Sequence, residues 1–213
     1  MRISKKIIIL SVSLPLIFFA IGYLLWENEL QYITPTELPN EYVKVKVMDK
    51  VNLEEAFGDS NGKPFFIHYY NPYCPCSKFN YAYYKSLTDK YENDFNLFLV
   101  IREMDRDVID ELKENIQTQV TLIIDKGGEI AKQTGVYSTP QAVLLTTDYT
   151  LYYRGNYSRT RYCTTKSYNY AEMAIDSLLA GKKAPDFGDF AITSYGCSLD
   201  KERAFYQVLF SMN

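Results

Sequence analysis

The longest hydrophobic pattern in the chain is its first one, a run from Ile7 to Trp26 that contains no charged side chain. The run is long enough for a helix to cross the hydrocarbon core of a bilayer, which takes about 20 residues. Basic residues precede it, so we expect the N-terminus to stay in the cytoplasm and the rest of the chain to be exported. A cleaved signal peptide has a shorter apolar region and a small-residue cleavage site, whereas this run ends in the sequence GYLLWE. The pattern therefore predicts an uncleaved transmembrane anchor at 1–26, which for a bacterial protein lies in the inner membrane.

After residue 26, short apolar runs alternate with stretches of helical spacing. Strands are predicted at 43–48, 64–70, 95–101, 120–124, 142–146 and 151–154, and helices at 52–57, 77–91, 105–116, 168–180 and 199–210, with a short helix after Gly127 and Gly128. This alternation predicts an α/β fold with a partly parallel sheet, covered by helices on both faces and extended by an antiparallel hairpin. The Pro-containing segment 27–42 is predicted to be a tether, 43–181 one domain and 182–213 a C-terminal extension.

Composition and charge exclude several classes of protein. The net charge of −3 argues against a nucleic-acid partner, which would require a basic face. A single histidine excludes a zinc site built from several imidazoles. No cofactor and no resident metal site are therefore predicted. The 20 tyrosines suit half-buried strands, because each combines an apolar ring with a polar tip.

The candidate chemistry lies in two of the four cysteines. Cys74 and Cys76 occur in the segment NPYCPCSKF, between a predicted strand and a predicted helix. Free N–H groups and the positive dipole at a helix start stabilise a thiolate, which is the form that attacks a disulfide. Two other interpretations stay open: a pair of buried cysteines that act as small apolar residues, and a Cys-x-Cys clip for Cu(I).

Two segments resemble the thioredoxin superfamily. The segment FFIHYYNPYCPC at 65–76 resembles its active-site strand and helix start, and GVYSTPQAVLL at 135–145 resembles the stretch in which a cis proline faces the active cysteine. The resemblance extends over roughly 43–180 and is closest to bacterial membrane-anchored thioredoxin-like proteins with a Cys-Pro-Cys-Ser motif. That group also has a cysteine after a late glycine and a Gly-Cys near its end, which Cys163 and Gly196–Cys197 match. The resemblance implies a thioredoxin-like fold, a central mixed sheet flanked by helices.

The resemblance also assigns roles to individual residues. Cys74 is expected to be the exposed nucleophile and Cys76 the less accessible resolving thiol, although Cys163 is an alternative because the usual Cys-x-x-Cys is shortened to Cys-x-Cys. Pro140, if cis, is expected to present the backbone of Thr139 to a bound substrate strand.

His68 occupies a position at which the superfamily often has a buried acidic proton relay. An imidazole that titrates near neutrality could relay protons in the same way. The alternative is a half-buried strand histidine whose hydrogen bond is satisfied.

The two remaining cysteines are predicted to form a structural disulfide. A Cys163–Cys197 bond would attach the C-terminal tail to the domain, as an oxidising compartment permits. The alternative is a second redox pair that passes electrons to Cys74 and Cys76. The number of cysteines leaves the connectivity open.

Together these features predict a membrane-anchored periplasmic thiol–disulfide oxidoreductase. Its expected partners are protein thiols and disulfides, together with the membrane that holds its N-terminal helix. The alternative is a non-catalytic thioredoxin-like module that binds copper or a protein partner. A peroxidase would need an arginine beside the reactive thiol, and the sequence offers no clear one next to Cys74.

Overall fold

A computed structural model describes residues 5–28, 34–103, 106–159 and 168–199. The chain divides into two compact units, Met1–Pro35 and Thr36–Asn213. The first unit contains helix α1, Lys5–Asn28, which includes Pro15. Within it, Ile9–Trp26 has a mean hydropathy of 2.1 and is long and apolar enough to cross a membrane.

The described part of the second unit alternates strands with helices. The strands are β1 Phe65–Tyr69, β2 Asn96–Arg102, β3 Val120–Asp125, β4 Ser138–Thr139, β5 Gln141–Leu145, β6 Leu151–Gly155 and β7 Cys197–Ser198. The helices are α2 Glu54–Phe57, α3 Pro75–Lys90, α4 Arg106–Asn115, α5 Glu129–Thr134, α6 Tyr170–Leu179 and α7 Asp189–Ile192, and a 3-10 turn lies at Lys126–Gly128.

The main sheet is mixed, with the strand order β3-β2-β1-β5-β6. Strands β1, β2 and β3 are parallel, and β5 and β6 form an antiparallel hairpin beside β1. Every residue of β1 is buried, because helices cover both faces of the sheet. Phe66 packs in a core with residues of α3, α4 and α6, and Ile67 packs in a second core with residues of α2 and α5. The predicted mixed sheet with flanking helices is confirmed.

The predicted strand at 43–48 is wrong. Met48 adopts a left-handed backbone conformation with φ 76°, and the Asp49 carboxylate accepts a hydrogen bond from the Lys46 amide at 2.7 Å. These two features close a turn, so regular pairing is limited to an isolated bridge between Lys50 and Thr150. The alternation of valine and lysine here reflects the partial burial of Val45 against one core.

Two other predicted segments can be compared only in part. The predicted helix at 199–210 lies outside the described residues apart from Leu199. Residues 36–42, predicted as the end of a tether, belong to the second unit. There, the Thr36 amide donates to Ser194 O at 2.8 Å, and the Tyr42 hydroxyl donates to Gly135 O at 3.1 Å.

The C-terminal extension is held against the end of β6 by Asn156. Its side-chain amide donates to Phe190 O at 2.8 Å and to Thr193 O at 2.6 Å, and its backbone amide donates to Ala191 O at 2.8 Å. The preceding Gly155 can carry no side chain, since a Cβ there would collide with the Ala191 carbonyl. These contacts direct the chain from α7 towards β7.

Asp125 fixes the helix that leads into β4. Its buried carboxylate accepts hydrogen bonds from the backbone amides of Ile130 and Ala131, at 2.9 and 3.0 Å. Both amides belong to the first turn of α5, where no intrahelical acceptor is available. The helix ends at Gly135, whose left-handed conformation turns the chain towards β4.

Replacement of this carboxylate should destabilise the second unit. We expect Asp125→Ala to lower the free energy of unfolding by roughly 2–3 kcal/mol, because two buried N–H groups lose an ionised acceptor. Asp125→Asn retains one acceptor oxygen and should cost less. Urea unfolding of both variants in detergent measures the difference, and equal losses would contradict the hydrogen-bond explanation.

Candidate active site

The turn between β1 and α3 places Cys74 at the start of the helix. The Asn71 side chain accepts a hydrogen bond from the Tyr73 amide at 2.8 Å, and the Cys74 amide donates to Asn71 O at 3.1 Å. Cys74 is the residue that precedes the first helical position, which Pro75 occupies. Proline is well suited to that position, because its fixed φ fits a helix and its missing N–H would have had no intrahelical partner.

Cys74 forms a disulfide with Cys197, across a Cα–Cα distance of 6.0 Å. Its sulfur also lies 3.5 Å from the carbonyl oxygen of Thr139. The Thr139–Pro140 peptide bond is cis, as expected from the sequence. The helix start, the cis proline and the C-terminal strand therefore meet at one sulfur atom.

The strand that carries Cys197 is paired with the residue before the cis proline. Strand β7 runs antiparallel to β4, with Cys197 opposite Thr139 and Ser198 opposite Ser138. The Leu199 amide extends this pairing by donating to Tyr137 O at 3.0 Å. The short β4 edge thus binds an extended segment with a cysteine opposite Thr139.

The predicted Cys163–Cys197 disulfide is wrong for this structure. Cys197 is bonded to Cys74, and a cysteine sulfur forms only one disulfide at a time. Cys163 itself lies outside the described residues. Pairing of β7 with β4 decides the connectivity, and such long-range pairing is not visible in local sequence patterns.

The predicted exposure of the two motif cysteines is also wrong. Cys74 is only 1% exposed and Cys76 is 7% exposed, so the residue expected to be the exposed nucleophile is the more deeply buried of the two. Strand β7 and its disulfide cover Cys74, which its position at the helix start predicts to be solvent-exposed. Cys76 keeps its thiol and lies in the first turn of α3.

His68 lies in the middle of β1 and is fully buried. Its Nδ1 shares a hydrogen bond with the Tyr157 hydroxyl at 2.7 Å, and its ring stacks on Tyr84 with centroids 4.2 Å apart. Burial lowers the pKa of His68 to about 3, and the influence of the Gln141 backbone offsets this only in part. The expectation that His68 titrates near neutrality is therefore wrong: the imidazole is neutral at pH 7.

The described residues offer no obvious metal centre. Within these ranges, no group of three or more His, Cys, Asp or Glu side chains could hold a metal ion. The Cys-x-Cys clip would need both sulfurs as thiolates, whereas Cys74 is in a disulfide.

Comparison with known proteins places the chain in a family. A model described as a domain of unknown function, DUF6436, matches residues 44–198. The chain belongs to the DUF6436 family. The matched region of this DUF6436 protein contains the β1–α3 turn, the cis proline and Cys197, but not the apolar helix α1.

The DUF6436 chain is also similar to named oxidoreductases. It is 29% identical over 134 residues to the thiol-disulfide oxidoreductase ResA of Bacillus cereus, an alignment that covers 61% of this chain and 75% of that protein. The ResA protein of Bacillus thuringiensis subsp. konkukian matches with the same identity and coverage.

Solved structures with the same fold include an uncharacterized conserved protein from Geobacillus kaustophilus. It has a TM-score of 0.58 at 18% identity and covers 77% of this chain and 97% of that one. A hypothetical protein from Sinorhizobium meliloti has a TM-score of 0.55 at 17% identity, and the match covers 74% of this chain and 95% of that protein's chain. The DUF6436 chain has a thioredoxin-like α/β fold, as the sequence predicted.

Sequence reasoning missed the partners of two site residues. It did not pair Cys197 with Cys74, although Gly196–Cys197 was part of the resemblance. It also did not predict the hydrogen bond between His68 and the Tyr157 hydroxyl. The Cys74–Cys197 disulfide could have been suspected, because an intramolecular disulfide of Cys74 must use one of the three other cysteines. The hydrogen bond between His68 and Tyr157 leaves no signal in the local sequence.

The buried neutral histidine makes stability depend on pH. An unfolded histidine takes up a proton below about pH 6.5, whereas folded His68 does not until about pH 3, so acidification favours the unfolded state. We expect this residue alone to lower the free energy of unfolding by about 1 kcal/mol between pH 7 and 5.5.

Urea unfolding in detergent at the two pH values tests this expectation. His68→Asn retains a polar partner for Tyr157 but does not titrate, so the pH-dependent loss should shrink by that amount even if the variant is less stable overall. An unchanged pH dependence in His68→Asn would show that another group is responsible.

Proposed function

We propose that this chain is a thiol–disulfide oxidoreductase that acts on protein thiols and disulfides. The observation that carries the proposal is the position of Cys74, a disulfide sulfur at a helix start beside the Thr139–Pro140 cis bond. The name of the ResA relatives supports the same activity. We further propose that α1 anchors the protein in the bacterial inner membrane and that the second unit faces the periplasm, where disulfides persist.

Cys74 is proposed to be the nucleophile. When its disulfide is reduced, the thiolate lies at the N-terminus of α3, where free N–H groups and the helix dipole stabilise negative charge. It attacks one sulfur of a substrate disulfide and forms a mixed disulfide, while the other substrate sulfur leaves as a thiolate and takes a proton. The sequence suggests Cys76, whose thiol lies in the first turn of the same helix, as one candidate for the resolving residue.

Thr139 and Pro140 are proposed to bind the substrate through the backbone. The β4 edge pairs with an extended strand and places a cysteine opposite Thr139, beside Cys74. A substrate segment that paired in the same way would present its sulfur to the nucleophile. Recognition by main-chain hydrogen bonds would accept many sequences, as suits an enzyme that acts on protein substrates.

No step is proposed for His68. A proton relay must exchange its proton at the working pH, and a pKa of about 3 keeps this imidazole neutral at pH 7. Its hydrogen bond to Tyr157 and its stacking on Tyr84 support a structural role beneath the site.

Loss of the nucleophile should abolish exchange. We expect the full-length protein in detergent to accelerate the reduction of insulin by dithiothreitol, and Cys74→Ser to reduce the rate to that of dithiothreitol alone. Cys163→Ser is the matched control and should behave like the wild type. A wild-type protein that gives no acceleration would favour the non-catalytic binding module, whereas a Cys74→Ser variant that keeps the acceleration would overturn Cys74 as the nucleophile.

The anchor can be tested separately from the chemistry. We expect the protein to remain in the membrane fraction after carbonate washing and to retain residues 1–26, because the apolar run lacks a cleavage site. Fractionation followed by mass spectrometry of the intact protein measures both properties. A mature chain that begins near Asn28 in the soluble periplasmic fraction would refute the anchor.

A further inference from the structure

The C-terminal strand occupies the edge at which a substrate strand is proposed to bind. Strand β7 is paired with β4, and its Cys197 is bonded to the proposed nucleophile. An external segment that paired with Thr139 in the same manner would overlap β7. The tail and the substrate therefore compete for one edge and for one sulfur.

Several elements of the second unit hold the C-terminal tail in place. We call their contacts with residues 194–196 the seat of the tail. The Thr36 hydroxyl donates to Gly196 O at 3.0 Å and accepts from the Gly196 amide at 3.1 Å. The Gln141 side chain donates to the Ser194 hydroxyl at 2.6 Å, and both residues are buried. Together with the hydrogen bond from the Leu199 amide to Tyr137 O, these contacts hold the chain on both sides of Cys197 and define where its sulfur lies.

Gly196 fits this seat because it has no side chain. A Cβ at this position would collide with the Thr139 carbonyl, the same oxygen that lies 3.5 Å from the Cys74 sulfur. The close approach of the two backbones places Cys197 next to Cys74. A side chain at residue 196 would move the strand away from β4 without removing a thiol.

We propose that Cys197 is the resolving cysteine of Cys74 and that it acts by replacing the substrate strand on β4. This inference rests on the proposed function and names a catalytic residue for it. In the structure, Cys74 is bonded to Cys197, so the oxidised pair joins α3 to the tail.

The reaction balances with two thiols of this chain. In the reduced protein, the Cys74 thiolate attacks a substrate disulfide, and one substrate sulfur leaves and is protonated. The Cys197 thiolate then attacks the Cys74 sulfur of the mixed disulfide. The Cys74–Cys197 bond forms as the Cys74–substrate bond breaks, and the second substrate thiolate takes a proton. The substrate disulfide gains two electrons, and the Cys74–Cys197 pair loses two.

Resolution in this scheme also releases the product. Cys197 reaches Cys74 as β7 pairs with Thr139, and this pairing removes the substrate strand from the edge. A dithiol reductant then cleaves Cys74–Cys197 by exchange and is itself oxidised to a disulfide, and release of the tail opens the edge for the next substrate.

Trapping of mixed disulfides tests the assignment. Reduced full-length protein in detergent is mixed with insulin, quenched with acid, alkylated and separated without reductant. We expect Cys197→Ser to accumulate a Cys74–insulin mixed disulfide that is lost in the wild type and in Cys76→Ser and Cys163→Ser, the variants of the two other candidate resolving cysteines. Mass spectrometry of the oxidised wild type should identify the Cys74–Cys197 peptide pair.

A second variant tests the seat while keeping every thiol. We expect Gly196→Val to slow the disappearance of the mixed disulfide, because the added side chain would collide with the Thr139 carbonyl. Thr193→Val, a change to the same residue type earlier in the tail, should resolve at the wild-type rate. This variant keeps the test valid if Cys197→Ser does not fold.

The outcomes separate this inference from the function on which it rests. Accumulation in Cys76→Ser in place of Cys197→Ser, or wild-type resolution in both Cys197→Ser and Gly196→Val, would overturn the role of Cys197 and leave Cys74 as the nucleophile. Mixed disulfides that still form in a Cys74→Ser, Cys197→Ser double variant would overturn Cys74 as the nucleophile, and the absence of any mixed disulfide in every variant would overturn the proposed function itself.

Discussion

The antiparallel pairing of β7 with β4 is the interaction on which the site depends. It is short, yet it brings a residue 123 positions away in sequence into a disulfide with Cys74. Asp125 supports the pairing by fixing the helix that leads into β4, and Asn156 does so by directing the C-terminal extension from the end of β6. The Cys74 sulfur is thus positioned by a helix start and by a strand edge that folding must bring together.

The Cys74–Cys197 disulfide changes the equilibrium between the tail bound to β4 and the tail released from it. By the chain-entropy estimate, a disulfide that closes a loop of this length stabilises the folded state by about 4–5 kcal/mol, far more than one or two strand hydrogen bonds at about 1 kcal/mol each. Reduction removes the stabilisation that the disulfide provides, and the tail is then held by its hydrogen bonds to Thr36 and β4. A tethered Cys197 nevertheless keeps a high effective concentration at Cys74, so it can compete with dilute protein substrates.

The sequence predicted well what short-range patterns determine. The apolar run at 64–70 contains β1. The placement of Cys74 between a strand and a helix follows from the change from a continuous apolar run to helical spacing of apolar residues, and Pro75 suits the first helical position. It failed where distant segments decide the outcome. The partner of Cys197 depends on strand pairing across the chain, and the low pKa of His68 depends on burial from several elements. The 43–48 segment has strand-like alternation but lacks a strand beside it along its length.

A resolving cysteine on a separate strand differs physically from one in the same helix turn. Two thiols of one turn can exchange without displacing the substrate backbone, so chemistry and release are independent steps. Here, the sulfur of Cys197 is attached to the strand that needs the same Thr139 edge as the substrate. In the proposed scheme, electron transfer is coupled to strand replacement, and the same strand pairing buries Cys74 in the oxidised state. Glycine is required at residue 196 for the same reason. The backbones of Gly196 and Thr139 approach so closely, where the two sulfurs are joined, that a side chain has no room beside Thr139.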